Sequence, residues 1–332
     1  MSDPQTAVPR LLQIGLLYNP SSGYNRRHPG VLAQEASTCE HVTLRAVQSP
    51  GEVQAALAEL ARLPVDLLII CGGDGTVQAV LSALFHSRPF AVIPPLAVLA
   101  AGTTNMIAAD AGLAGRPLKY LRLLLAQENL EGMRCVSRPV LRLQIPGQDD
   151  RYGMFLGMAA ISQGTTYYQE HFHNQGWQGL PGIVLTLVRS LATTMGRGAR
   201  KPMSTRLGIA SENISGQKRS EQAQEIILAL VTTHQRLLFG LEPFWGKEED
   251  GPLRCTLVDA QARGLVWRLP FLAWGKSWAA AGGQGYASWN CHALQLKLDG
   301  PLTLDGELYR SAHADDPILV SCGGTVKLVR EL

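Results

Sequence analysis

The chain has 332 residues, of which 46% are hydrophobic and 17% charged, and its formal net charge is +3. This composition excludes a disordered chain, and so small a net charge gives no reason to expect nucleic acid as a partner. The chain has no run of about 18 apolar residues, so we expect no transmembrane segment. Six widely spaced cysteines without a C-x-x-C pair favour reduced thiols in a cytoplasmic protein. The first ten residues contain two prolines and no apolar core, which does not predict a signal peptide.

The first predicted strand, residues 11–18, ends in a turn sequence with polar side chains. Pro20 and Gly23 favour the turn, while Asn19 and Ser22 offer hydrogen-bonding groups where the strand ends. A helix over 31–37, a strand over 41–47 and a helix from Pro50 to about residue 62 are predicted next.

A glycine-rich segment then follows the apolar run 67–71, which is typical of a strand buried on both faces. Gly72, Gly73 and Gly75 surround Asp74, and Thr76 begins a helical pattern that continues to about residue 86. Strand, glycine turn and helix together direct backbone N–H groups at a phosphate. A tight turn that binds nothing is the alternative interpretation.

A third loop of this kind follows the apolar run 96–100. It contains Gly102, Thr103, Thr104 and Asn105, and it precedes a predicted helix over 106–111. Because parallel strands end at one edge of a sheet, the three loops are expected to converge there. We therefore predict a nucleotide or phosphate site at that edge.

The second half of the chain predicts a different architecture. After a helix over 117–127, strand-like runs recur at 140–145, 154–160, 206–210, 226–232, 253–258, 293–298, 317–321 and 325–329. Runs spaced in this way are typical of an antiparallel β domain, with a boundary near residues 135–140. The segment 177–195 predicts a helix.

Two carboxylates flank a glycine near the end of the chain, in Asp305-Gly306-Glu307. In an arbitrary protein this pattern favours a solvated hairpin turn. Alternatively, the glycine lets the backbone approach a ligand at which both carboxylates point.

Four segments, taken together, resemble the diacylglycerol kinase catalytic-domain family, which includes soluble bacterial lipid kinases and sphingosine kinases. They are Asn19-Pro20-x-Ser22-Gly23, Gly72-Gly73-Asp74-Gly75-Thr76, Gly102-Thr103-Thr104-Asn105 and Asp305-Gly306-Glu307. The resemblance implies a three-layer α/β nucleotide-binding domain (1–137), an antiparallel β-sandwich domain that accepts the lipid (138–311), and a C-terminal segment (312–332) that returns to the first domain.

The resemblance also implies roles for these residues. The first three segments would bind ATP, Asp74 would act on Mg²⁺ through water, and Asp305, assisted by Glu307, would take the proton of a lipid hydroxyl. Many bacterial members carry an aspartate where this chain has Met106, and a thioether is a poor ligand for Mg²⁺. Asp110, one helical turn further, is a candidate replacement.

The first hypothesis is accordingly an ATP-dependent lipid kinase acting on a diacylglycerol-like or sphingoid-like lipid. A NAD kinase-like enzyme, which shares the Gly-Gly-Asp-Gly-Thr segment, and a nucleotide- or lipid-binding protein with little kinase activity are the alternatives. Contact with the inner face of the membrane is an open question, since two features each have two interpretations. They are a basic cluster at Arg189, Arg197, Arg200, Lys201 and Arg206, and tryptophans at 267, 274, 278 and 289. His171-x-His173 predicts polar surface rather than a metal site.

Overall fold

The computed structural model describes residues 11–172, 204–212, 218–237, 240–246, 250–262, 268 and 285–330. Several predicted features lie outside the described residues: the helix over 177–195, the basic residues 189, 197, 200 and 201, the tryptophans 267, 274 and 278, and His173.

The described residues form seven helices and fifteen strands. The helices are α1 (Gly23–Arg27), α2 (Val31–Ser37), α3 (Pro50–Leu60), α4 (Asp74–His86), α5 (Met106–Asp110), α6 (Pro117–Leu125) and α7 (Ala160–Phe172). The strands are β1 (Ile14–Tyr18), β2 (Val42–Ala46), β3 (Leu67–Gly72), β4 (Leu96–Ala100), β5 (Arg134–Gln144), β6 (Arg151–Gly153), β7 (Phe155–Ala159), β8 (Thr205–Glu212), β9 (Lys218–Thr232), β10 (Leu253–Asp259), β11 (Tyr286–Cys291), β12 (Ala293–Leu298), β13 (Leu302–Leu304), β14 (Glu307–Tyr309) and β15 (Ile318–Arg330).

The first part of the chain is a three-layer α/β arrangement. Its parallel strands lie in the order β2-β1-β3-β4, and β1, β3 and β4 are buried along their whole length. Side chains of β3 alternate between two cores, because successive strand residues point to opposite faces. Leu68 and Ile70 pack with α3 and α4, whereas Leu67 and Ile69 pack with α2 and α6. This alternation explains why the strand needs a continuous apolar sequence.

The second part is antiparallel and continues the same sheet. Strands β7, β8 and β10 pair with β9, while β12 pairs with β8 and β15. The long strand β15 lies beside β5 and also meets β4 in parallel, with Leu328 opposite Leu96. The predicted fold class, an α/β arrangement followed by antiparallel β structure, is confirmed. The division into domains at residues 137 and 311 stays a prediction.

Several elements differ from the sequence-based expectation, among them helix α7, which the sequence does not predict, and strands β11 and β5. The sequence does not predict strand β11, because it mixes polar residues with two separated aromatic residues, Tyr286 and Trp289. That tryptophan is 2% exposed and packs in the antiparallel core, where apolar neighbours replace water around its ring. Strand β5 begins at Arg134 rather than near residue 140, since pairing with β15 extends it. Within the described residues, no helix combines the length and apolar character that a membrane span requires.

Candidate active site

The three predicted loops meet at one edge of the parallel sheet. In the strand register, Tyr18 lies opposite Cys71, and Cys71 lies opposite Leu99, so β1, β3 and β4 end at the same level. The second and third loops touch directly, since a methyl group on Gly73 would lie 3.1 Å from the Cα atom of Gly102. The predicted convergence is confirmed, and a side chain at this contact would push the two loops apart.

The two asparagines of the motifs are hydrogen-bonded to the loops themselves. Asn19 donates through Nδ2 to Thr76 Oγ1 at 2.8 Å, which joins the first loop to the second. Asn105 accepts from the backbone N–H of Gly102 at 2.7 Å and donates to the Gly102 carbonyl at 2.9 Å, which closes the third loop. Both side chains therefore shape the loops that surround the site.

Asp74 begins helix α4 and accepts two hydrogen bonds from the start of α5. Its Oδ2 lies 3.1 Å from the backbone nitrogen of Met106, and its Oδ1 lies 3.2 Å from that of Ile107. Burial raises the pKa of Asp74, although these two N–H groups lower it. Met106, where the family resemblance leads us to expect an aspartate, thus contributes its backbone N–H to the site.

Asp305 and Gly306 form the two-residue turn between β13 and β14. Both have positive φ angles, 49° and 94°, as the common hairpin turn of this length requires, and Asp-Gly is a favoured sequence for it. The solvated-turn alternative is wrong for Asp305, which is only 4% exposed. Its carboxylate accepts from the backbone nitrogens of Met154 at 2.9 Å and Phe155 at 2.8 Å.

Burial raises the pKa of Asp305 from 3.8 to about 7. The neighbouring His234 lowers this pKa, and the negative charge of Asp74 raises it. Asp74, 231 residues earlier in the sequence, therefore lies close enough to influence the ionisation of Asp305. A carboxyl group with a pKa near neutrality is suited to accept a proton at physiological pH.

Glu307 lies against the glycine loop. A methyl group on Gly75 would lie 2.7 Å from Glu307 Oε1, a distance that real side chains do not tolerate. Two residues further along β14, the hydroxyl of Tyr309 accepts a hydrogen bond from Gln78 Nε2 at 3.1 Å, and Gln78 stands one turn after Asp74 in α4. The hairpin is thus joined to the start of α4 at two points.

A cavity of about 1360 Å³ contains most of the predicted site residues. Twelve of them line it: Asn19, Ser22, Gly23, Gly73, Asp74, Gly75, Thr76, Gly102, Thr103, Thr104, Asp305 and Glu307. Gly72 and Asn105 do not line this cavity. Gly72 is the last residue of β3, and Asn105 closes the third loop by its hydrogen bond to Gly102.

Part of this cavity is apolar, which the sequence did not predict. We call this part the apolar arm; it is lined by Phe155, Ile161, Leu228, Leu230, Leu237, Leu241, Pro243 and Val258. Phe155 belongs to both parts, because its backbone nitrogen holds Asp305 while the residue lines the cavity. The apolar arm therefore begins where Asp305 lies.

Asp110 does not replace the missing aspartate. Its Oδ2 lies 2.8 Å from Arg138 Nε, and its Oδ1 accepts from the backbone nitrogens of Gln235 and Arg236. Burial raises its pKa, but His234 and Arg138 outweigh burial and hold the pKa well below its usual range. Within the described part of the chain, no group of three or more His, Cys, Asp or Glu residues could hold a metal ion.

The first part of the chain has relatives of known family. A family model described as the diacylglycerol kinase catalytic domain matches residues 13–136. The resemblance inferred from the four segments is therefore confirmed, and the matched residues contain the first three of them.

Individual proteins agree with this match. The probable lipid kinase YegS of Salmonella arizonae and that of Salmonella heidelberg are each 36% identical to this chain over 90 residues. The aligned part covers 27% of this chain and 30% of each relative, so the similarity spans less than a third of these curated proteins. These matches support the prediction of a kinase of the lipid kinase family.

Solved structures resemble the whole chain. A crystal structure of a diacylglycerol kinase from Bacillus anthracis aligns over 97% of both chains, with a TM-score of 0.58 and 16% identity. A candidate diacylglycerol kinase from the same organism aligns over 99% of both chains, with a TM-score of 0.64 and 18% identity. At these identities the likeness concerns the fold, which extends the agreement through the antiparallel part.

Proposed function

We propose that the protein is an ATP-dependent lipid kinase, which transfers the γ-phosphate of ATP to a hydroxyl of a diacylglycerol-like or sphingoid-like lipid. The observation that supports this most is the cavity that joins three glycine-bearing loops, the half-buried Asp74, the buried Asp305 and the apolar arm. An apolar arm of this kind suits an acyl chain, whereas the hydrophilic NAD molecule has no apolar chain that would fill it. The cavity therefore favours a lipid acceptor over NAD.

The glycine loops would hold the phosphates of ATP. The backbone N–H groups at the start of α4 have no partner within the helix, and the helix dipole favours negative charge there. Gly73, Gly75 and Gly102 line the cavity at this point, so a phosphate could approach their backbone N–H groups. The nucleotide would extend along the cavity wall that Val47, Pro50 and Val53 form beside these loops.

Magnesium fits this site through water and phosphate rather than through a ring of protein ligands. Each oxygen of Asp74 already accepts one N–H and keeps a free lone pair that a water molecule can donate to. Mg²⁺ commonly retains several waters and binds one or two carboxylates together with the substrate phosphates. In this role it would neutralise charge on the transferred phosphoryl group.

Asp305 would accept the proton of the lipid hydroxyl. As that proton moves to the carboxylate, the hydroxyl oxygen forms a bond to the γ-phosphorus, and the bond to the bridging oxygen breaks, so that ADP leaves with the electron pair. The N–H groups of Met154 and Phe155 fix the carboxylate at the inner end of the apolar arm. Glu307, held against Gly75, would orient the groups on the nucleotide side.

The acceptor resides in a bilayer, so we propose that the protein acts from the cytoplasm as a peripheral protein at the inner membrane surface. Cosedimentation with vesicles of the host's total lipids tests this: protein in the pellet supports it, and protein that stays in the supernatant contradicts it.

Phosphorylation of a total lipid extract tests the activity. Purified protein is incubated with Mg²⁺, γ-labelled ATP and the extract, and the products are identified by mass spectrometry, with Asp305→Asn as the control variant. We expect one class of hydroxyl-bearing lipid to gain a phosphate only with the unaltered protein. Label transferred to NAD in a parallel reaction, or no label on any lipid, would overturn the proposal.

A further inference from the structure

Helix α5 binds the carboxylate of Asp74 at its start and carries the carboxylate of Asp110 at its end. At its start, the N–H groups of Met106 and Ile107 hold Asp74, as described above. At its end, Asp110 turns away from the cavity and binds Arg138 of β5. Because the helix has only five residues, from Met106 to Asp110, a movement at one end is transmitted to the other.

Asp110 also binds the segment that follows β9. The backbone nitrogens of Gln235 and Arg236 each lie 3.2 Å from its Oδ1, and Nδ1 of His234 lies 3.4 Å from its Oδ2. The side chains of this cluster are almost inaccessible to solvent: 2% exposed for Asp110, 3% for Arg138 and 0% for His234. A buried carboxylate with this many partners has little freedom to move.

The same segment reaches the backbone that holds Asp305. The hydroxyl of Thr232 and the backbone nitrogen of Thr233 both donate to the carbonyl of Met154, at 2.7 Å and 3.0 Å. The nitrogen of Met154 in turn donates to Asp305. A chain of hydrogen bonds and two short backbone segments therefore connects the N–H pair around Asp74 with the N–H pair around Asp305.

We infer that His234 and Asp110 are positioning residues, which with Arg138 set the separation of Asp74 and Asp305 across the cavity. Neither side chain lines the cavity, so neither touches the reacting groups. Neither ring nitrogen of His234 has a hydrogen-bond partner among the described residues, and Nδ1 approaches Asp110 only as an ion-pair contact, an arrangement that costs stability and that an apolar side chain would avoid. His234 lies 3.4 Å from Asp110, and its charge also lowers the pKa of Asp74 and of Asp305, which places it between the two ends of the connected chain.

This inference rests on the proposed kinase function, and two substitutions at one position test it. His234→Asn places a polar amide group beside Asp110, where it can donate to that carboxylate, whereas His234→Leu fills the space without a donor. His41→Leu is the control, since it also removes an imidazole with an unpartnered, buried Nε2, but at the start of β2 and away from the cavity.

We expect His234→Leu to lower kcat about 100-fold, because a displacement of about 1 Å at a reacting group has this effect. The KM for ATP should stay within about twofold, since the glycine loops are unchanged. His234→Asn restores a donor, so it should lower kcat by less than His234→Leu does. His41→Leu should leave kcat unchanged.

The crystal structure of His234→Leu is the second measurement, and it does not depend on knowing the acceptor. We expect the separation of the Asp74 and Asp305 carboxylates to change. An unaltered separation, or a lower melting temperature with unaltered kcat, would overturn the inference and leave His234 a stabilising residue only. If the unaltered protein phosphorylates no lipid, the proposed function fails, and the crystal structure still decides the positioning role.

Discussion

Replacement of Asp305 by asparagine separates the proton-accepting role of this residue from its role in the hairpin turn. Asparagine tolerates the positive φ of 49° at this position, and its side-chain oxygen can still accept from one of the two backbone nitrogens of Met154 and Phe155. Its amide group cannot accept a proton from a lipid hydroxyl. We expect kcat to fall by about 10²–10⁴, the usual contribution of a positioned base.

The pH dependence gives the same prediction a second readout. The pKa of Asp305 is raised from 3.8 to about 7, so the carboxylate that can accept a proton is the minor form below neutrality. In the unaltered enzyme, kcat/KM should therefore rise tenfold per pH unit below about 7 and level off above it. In Asp305→Asn this rise should disappear together with most of the activity.

The assay is initial-rate transfer of labelled phosphate from ATP to the identified lipid between pH 5 and 9, at saturating Mg²⁺. Asp299→Asn is the matched control, because it makes the same chemical change at an exposed position after β12. If Asp305→Asn kept more than about a third of the activity, or kept the rise with pH, Asp305 would not be the base, since removal of such a base costs far more.

Four further predictions concern the rest of the site. Gly75→Ala should lower kcat/KM for ATP at least about tenfold, because the new methyl group would lie 2.7 Å from Glu307 Oε1 and forces that carboxylate to move; equal rates for both proteins would contradict this. Asp74→Asn should raise the Mg²⁺ concentration for half-maximal activity about tenfold, measured by titration, as loss of a group that holds a metal-bound water does. Leu241→Ser should raise the KM for the lipid about tenfold without changing the KM for ATP, since it removes apolar contact worth about 1–3 kcal/mol. The folded state binds the proton of Asp305 more tightly than the unfolded state does, so the free energy of unfolding falls by about 4 kcal/mol as the pH rises from 3.8 to about 7. Urea unfolding at pH 4 and pH 8 should show this fall in the unaltered protein and a smaller one in Asp305→Asn.

The parallel half of the fold and its three loops were predictable because each depends on local sequence. An unbroken apolar run such as 67–71 identifies a strand covered on both faces, and a glycine turn after it identifies the strand end. Once the strands are parallel, their ends must share an edge, which brings Gly73 beside Gly102 without any further information. The hydrogen bond between Asn19 and Thr76 follows from the same geometry.

The apolar arm and the cluster around Asp110 were not predictable from local patterns. Leu228, Leu241 and Val258 are separated by loops, and leucine or valine in a strand signals a core as readily as a pocket. His234 follows two threonines at the end of β9, where nothing in the sequence indicates that it will lie beside an aspartate 124 residues earlier. Such contacts depend on long-range pairing, and only the folded chain reveals them.

The hairpin at Asp305 accounts for the ambiguity of its sequence, because the turn and the chemistry need the same residues. A two-residue hairpin loop requires positive φ angles, which aspartate and glycine adopt more readily than other residues. In most proteins such a turn lies in water and its carboxylate is an ordinary acid. Here β13 pairs with β7 and the backbone N–H of Asp305 donates to the carbonyl of Phe155, so the aspartate is buried although Gly306 stays exposed. Burial then raises the pKa of Asp305 toward neutrality. The sequence Asp-Gly therefore specifies the turn, and the strand pairing, rather than the sequence itself, converts its aspartate into a candidate base.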